Sequence, residues 1–217
     1  MSSFLYSKIS GNISKESLNA IVEITDDKIL ESILKFILSL EDKNTVLFLI
    51  KNDKIPKSMS DDLFKFIIKN NFWEMFLDLD YNKFDIHTKD DFILRKISSE
   101  GCIDIVKFLV ENGANIHSQD DYALRKSSER GYIEVVKFLV ENGANIHAEN
   151  EEALICASEN GHIDVVKFLV KNGANIHEID DLALLSSIWK GNIEVVKFLV
   201  ENGANIHTWD DEVLRVF

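Results

Sequence analysis

Between residues 133 and 141 charge appears at only three positions. Glu134, Lys137 and Glu141 stand at i, i+3 and i+7, one narrow polar stripe on a helix. Ile133, Val135, Val136, Phe138, Leu139 and Val140 fill the remainder, so this helix has to be covered on several sides. Gly143 stands just past its end, where a left-handed residue is needed and glycine supplies it without strain. Upstream, Tyr122 to Arg130 predicts a first helix with Ala123, Leu124, Ser127 and Ser128 on its packing side. Asp120 and Asp121 precede it, as an N-cap and as favourable charge at its positive end, and Gly131 breaks it. Ala144 to Glu149 reads as an extended turn to the next element.

The phrase Ile133 to His147 begins again at Ile103, Ile163 and Ile193, 30 residues apart each time, with only Asp/Glu, Ile/Val and Glu/Lys exchanges. A phrase held in fixed register is the mark of a stacked, quasi-one-dimensional protein. Worn copies come earlier. Val46 to Asp53 matches Val106 to Gly113 in register, and Trp73, Phe76 and Leu79 take the places of Ile103, Val106 and Leu109. Asn82 and Asp85-Ile86-His87 then stand where Asn112 and Asn115-Ile116-His117 do. Ser17 to Ile24 and Asp26 to Leu40 each predict a helix. The parsing is a helical cap at 1–30, two degenerate units over 31–89, and four clear units at 90–119, 120–149, 150–179 and 180–209. Residues 210–217 match the start of a further first helix and stop, so the last full unit is expected to fray or to pair with something.

The chain has 217 residues and one proline, Pro56, with no Gly/Ser/Pro-rich tether, which favours one continuous stack over two domains on a linker. A net charge of −13 argues against binding to phosphate backbones or anionic membranes. Cys102 and Cys156 fall in different units, where no bridge is expected, and free thiols suit a reducing compartment. The first fifteen residues hold no apolar run of signal-peptide length, and Ile29 to Leu40 carries Glu31 and Lys35 and is too short to span a bilayer. The expectation is an intracellular protein.

His87, His117, His147, His177 and His207 form a ladder. Two ligands on one zinc lie within roughly 4 Å of each other, whereas packed helices are about 8–10 Å apart. Neighbouring rungs therefore cannot share an ion, and each histidine is expected to tie down its turn backbone. His162 reads as a turn hydrogen-bonder. The pairs Asp120-Asp121, Asp180-Asp181 and Asp210-Asp211 recur at helix starts, where capping accounts for them. Neither nucleotide-binding glycine loop nor His-Glu-x-x-His occurs. No catalytic, cofactor-binding or metal-binding residue is expected.

The spacing of Gly131, Val135-Val136, Leu139 and Gly143-Ala144, repeated from Gly101, Gly161 and Gly191, resembles the ankyrin repeat. The resemblance is clear from about residue 90 to 209 and faint from 31 to 89. It implies an all-α, ankyrin-type helix-turn-helix solenoid that works by protein–protein interaction. Two features depart from the family: the period is 30 residues, against about 33, and Glu152-Ala153-Leu154-Ile155 replaces the usual Thr-Pro-Leu-His. The shorter form, with Ile-His after the glycine turn, is similar to ankyrin-repeat proteins of giant DNA viruses of amoebae, which implies action on host proteins inside the host cell. Ile24 to Leu40 is also faintly similar to the opening helix of an F-box, without its leading Leu-Pro. That similarity implies an alternative role as an adaptor whose N-terminal region recruits a ubiquitin-ligase scaffold.

Comparing the units separates scaffold from surface. The second helix hardly varies, while the turn after each histidine and the first helix do. Aromatic and arginine residues supply most interface hot spots, which selects Tyr122, Arg125, Arg130, Ile179, Trp189 and Trp209 as candidate partner-binding residues. Arg95, Lys96, Arg125 and Lys126 add a basic spot suited to an acidic partner segment. The partner is expected to be a protein, with neither nucleic acid nor membrane. The chain is expected to be a monomer, with self-association, if any, at its uncapped C-terminal end.

Overall fold

A computed structural model describes residues 13–70, 72, 75, 78, 79 and 87–207 of the chain. Among the described residues there are twelve α-helices, one 3-10 turn and no strand, so the fold is all-α. The chain divides into two compact units, Met1–Ile86 and His87–Phe217.

In the first unit, α1 (Lys15–Val22), α2 (Asp27–Ser39) and α3 (Lys43–Lys51) each begin behind a side-chain cap. Ser14 Oγ accepts the Ser17 amide at 3.2 Å, Asp26 Oδ1 the Ile29 amide at 3.1 Å and Asp42 Oδ1 the Thr45 amide at 3.1 Å. These residues sit in extended backbone and satisfy amides that a helix start leaves orphaned. A 3-10 turn (Lys57–Met59) follows Pro56 and leads into α4 (Ser60–Asn70). α2 packs on α3 and α4. Leu34, Ile37, Val46, Leu49, Leu63 and Ile67 are fully buried there; each such side chain contributes roughly 2 kcal/mol relative to exposure.

The second unit alternates first helices α5 (Thr88–Ser98), α7 (Ser118–Glu129), α9 (Ala148–Glu159) and α11 (Glu178–Trp189) with second helices α6 (Ile103–Glu111), α8 (Ile133–Glu141), α10 (Ile163–Lys171) and α12 (Ile193–Glu201). First helices pack on first helices and second on second. The core repeats with the sequence: Leu94, Leu124, Leu154 and Leu184 from the first helices, and Leu109, Leu139, Leu169 and Leu199 from the second. Each second helix ends alike. Asn142 Nδ2 donates to the Phe138 carbonyl at 2.8 Å, Gly143 takes φ 100°, its amide donates to Val140 O at 3.0 Å, and Ala144 N donates to Leu139 O at 2.9 Å. Asn112, Asn172 and Asn202 repeat the side-chain bond.

The helix starts differ from the sequence expectation. Asp120 and Asp121 are not N-caps. Gln119, Asp120 and Asp121 hold φ of 50°, 54° and 56°, a left-handed turn, and the right-handed helix begins at Tyr122. Glu149, Asn150 and Glu151 do the same, as do Ile179, Asp180 and Asp181. A 30-residue unit has few residues with which to turn the chain between helices, and the left-handed turn coils the connection tightly. Asp and Asn tolerate that conformation better than most residues, and a β-branched residue such as Ile179 tolerates it badly. The expected extended connection from Ala144 to Glu149 is correspondingly short, since Ala148 already enters the turn. Trp73, Phe76, Asn82, Asp85 and Ile86, which carried the register of the second worn copy, lie outside the described residues, as do Trp209 and 210–217.

Candidate functional site

The left-handed turns bring the histidine ladder against a row of carboxylates. His87 Nδ1 lies 2.9 Å from Asp91 Oδ1, His117 Nδ1 3.1 Å from Asp121 Oδ1 and His177 Nδ1 3.0 Å from Asp181 Oδ1; His147 pairs with Glu151 in the same way. The carboxylates are buried and the imidazoles exposed. Asp121 Oδ1 also accepts the Asn145 amide at 2.9 Å, and Asp181 Oδ1 the Asn205 amide at 3.0 Å, each at the far end of the same unit. The ring was expected to hold the turn backbone. Instead the carboxylate holds the backbone, and the ring holds the carboxylate. Glu151 breaks the series, because the longer side chain leaves its Oε2 buried without a hydrogen-bond partner. Among the described residues no three His, Cys, Asp or Glu side chains come together as a metal site.

The other end of each unit is joined by shape. Gly131 takes φ 75°, and a Cβ built there would lie 2.5 Å from the His162 ring. Tyr132 covers Gly101 and Asn192 covers Gly161 in the same fashion. His162 Nε2 lies 3.0 Å from the Glu129 carbonyl, and Asn192 Nδ2 donates to Glu159 O at 2.8 Å. His162 is thus a joint between units. Neither cysteine is poised as a nucleophile. Burial, then the Glu152 and Glu129 carboxylates, push the Cys156 thiol up to about 11, and burial followed by Glu100 and Asp104 raises Cys102.

The six residues chosen from the sequence fall into different surroundings. Tyr122 is half-buried at the start of α7, its ring flanked by the Arg95 guanidinium at 5.5 Å and that of Arg125 at 5.6 Å. Arg125 is committed inward. Its side chain is 13% exposed, pairs with Glu152, and donates to Asp120 O and Gln119 O at 2.9 Å each. Lys126 binds Glu129, and that hydrogen bond is the main reason its pKa is raised. Arg130, at the end of α7, is exposed and makes no ion pair among the described residues. Ile179 is 46% exposed at the tip of its turn, and Trp189, ending α11, is 65% exposed. Trp209 lies outside the described residues. The structure therefore does not gather these side chains into one pocket; they are spread along the row of turns and first helices. Phe92, exposed on α5 beside Arg95 at 5.8 Å, is a variable position in the register of Tyr122 that was not among the six. Sequence reading missed the exposed Ile193, which begins α12 in the phrase common to all units.

Comparison with protein families gives a match to the model described as ankyrin repeats (3 copies), over residues 28–150, 93–180 and 124–210. No curated protein matches the chain. Among the described residues no helix is long and apolar enough to cross a membrane.

Proposed function

The chain belongs to the ankyrin-repeat family, and from that premise we propose that it is a non-catalytic binding protein holding its partner on the turns and first helices of residues 87–207. Ankyrin repeats indicate a protein–protein interaction module, and proteins built from them are typically without catalysis. The observation that carries the proposal is an internal contrast. The second helices are near-copies of one another, whereas the turns and first helices, packed in the same register, differ in charge, size and aromatic content. A scaffold needs the first property, and selective recognition needs the second.

On this reading Arg130, Ile179 and Trp189 present their side chains to the partner, together with Tyr122 and, by its place in the repeat, Trp209. Arg125 acts as a strut between α7 and α9. The parsing into a cap, two worn units and four clear ones places this surface in the clear units. The 30-residue period and the Ile-His after each glycine turn support the finer reading, a virus-encoded protein acting on host proteins within the host cell. The chain is a monomer in this reading, and Ile193 and Val200, exposed on α12, make that end the place for any self-association.

Co-purification from the native cellular setting tests the proposal. Trp189→Ala and Ile179→Asn are expected to release the bound protein, and Lys137→Ala, on the constant stripe, to retain it. The opposite pattern would overturn the assignment of the surface. The adaptor alternative draws on the first unit, where Lys35, Leu38 and Phe66 line an open cleft of about 300 Å³. Lys35→Glu in the full chain would then release a second protein while the first stays bound, and a single partner indifferent to Lys35 would remove that alternative.

A further inference from the structure

The four first helices share one register and differ in charge. α5 carries three Lys or Arg against two carboxylates, and α7 two against three. α9 has four carboxylates with no Lys or Arg, and α11 three with none. The second helices show no such gradient, since α8, α10 and α12 each keep at least one lysine. The excess of carboxylates over Lys and Arg is thus greatest on the C-terminal half of the variable face.

Within that half two large apolar side chains stand in the open, Trp189 at the end of α11 and Ile179 in the turn at its start. Ile179 occupies the turn position held by Gln119 and Glu149 in the preceding units, and it lies between Glu178 and Asp180. It is exposed and held at φ 47°, ψ 53°, a conformation poorly suited to a β-branched residue. Glu149, one unit back, is exposed, and its side chain makes no ion pair or hydrogen bond among the described residues.

The chain itself shows how such a turn receives a cation. Arg95 Nε donates to Asp90 O at 3.0 Å, and Arg125 donates to Asp120 O and Gln119 O while pairing with Glu152. In α9 and α11 the corresponding residues are Ile155 and Leu185, so these turns keep the same backbone and two carboxylates each, but have no guanidinium of their own.

We infer that the turn face from Glu149 to Ile179 docks an extended segment of a partner protein that carries a lysine or arginine about three residues from a large apolar side chain. The spacing follows from geometry: adjacent packed helices lie about 8–10 Å apart, and an extended chain rises about 3.3 Å per residue. The cation lies over the Glu149 turn, where Arg125 lies one unit earlier, and the apolar side chain covers Ile179. This inference rests on the interaction-module reading and names the chemistry of the partner.

Fluorescence anisotropy of the full chain with three labelled peptides tests it: Arg-x-x-Leu, Glu-x-x-Leu and Arg-x-x-Ser, each in the same Gly/Ala/Ser context. Arg-x-x-Leu is expected to bind at least about tenfold more tightly than the others, and more weakly as salt rises. Glu149→Lys and Ile179→Asn should each weaken it by about tenfold. Asparagine accepts the left-handed conformation, so Ile179→Asn is expected to raise the melting temperature while binding falls, which separates lost recognition from lost folding. Charge reversal gives a rescue, because Glu149→Lys should gain affinity for Glu-x-x-Leu. Equal binding of all three peptides, no binding, or indifference to both substitutions overturns the inference. If the native partner is still released by Trp189→Ala in any of those cases, the module reading stands without it. A dimer of the chain alone that Ile179→Asn disperses would assign the face to a second copy and overturn it as well.

Discussion

In residues 13–70 Asp26 and Asp42 stand in extended backbone, and each accepts an amide from the first turn of its own helix. In residues 87–207 Asp121 and Asp181 stand inside a left-handed turn, buried, and reach the amides of Asn145 and Asn205 at the far end of their own units. The same functional group near a helix start therefore performs two tasks. The cap stabilises one helix and transmits nothing. The buried carboxylate joins the turn that opens a unit, a histidine ring and the turn that closes the same unit, so that each unit is clasped across its two helices as well as held by its core. The first unit has the worn sequence and local caps, and the second has the repeating sequence and the relay.

The sharpest break of this contrast is Asp121→Ala. It strands the Asn145 amide and leaves His117 without its partner, which should destabilise the second unit by about 2–3 kcal/mol in urea denaturation. Amide exchange at Asn145 should quicken with it. Asp42→Ala removes a local cap and should cost about 1 kcal/mol, with exchange faster only in the first turn of α3. Equal losses in both variants would mean that the buried carboxylate is merely another cap. Glu151→Asp converts the irregular unit to the pattern of its neighbours. By removing the orphaned Oε2 and bringing the carboxylate to the Asn175 amide, it should stabilise by about 1 kcal/mol. The smallest effect belongs to the first unit. Asp53 holds φ 53° where the clear units have glycine, and Asp53→Gly should stabilise by about 0.5 kcal/mol, measured as a rise in the melting temperature.

What could be read from the sequence was what local chemistry decides. The apolar stripe of Ile133 to Glu141, the glycine at 143 and the 30-residue period determine helices, their ends and their stacking without reference to distant residues. The left-handed turn could not be read in this way. Its backbone is unfavourable for Gln119, Asp120 and Asp121 taken alone, and what offsets that is a bond to Asn145, 24 residues away from Asp121. A signal was nevertheless present. His-x-x-x-Asp/Glu recurs at 87/91, 117/121, 147/151 and 177/181, the spacing at which two helix-turn side chains meet. Arg125 illustrates the same limit at the candidate surface. Residue type marks it as an interface anchor, but Glu152 and two backbone carbonyls hold it within the stack. Ile179 and Trp189 stay exposed because nothing described in their unit or the preceding one reaches them.

The helix ends of the second unit also bear on how the molecule ages. Asn112-Gly113, Asn142-Gly143, Asn172-Gly173 and Asn202-Gly203 are sequences in which the glycine nitrogen readily attacks the asparagine side-chain carbonyl, closing a ring that opens to aspartate or isoaspartate. In the folded chain that nitrogen donates to a valine carbonyl, and the asparagine amide group is turned back onto a phenylalanine carbonyl four residues earlier. Nucleophile and electrophile are both held away from each other at every copy. Deamidation therefore waits for a unit to open, and the isoaspartate that accumulates at each of the four positions is a chemical record of how often that unit has come undone.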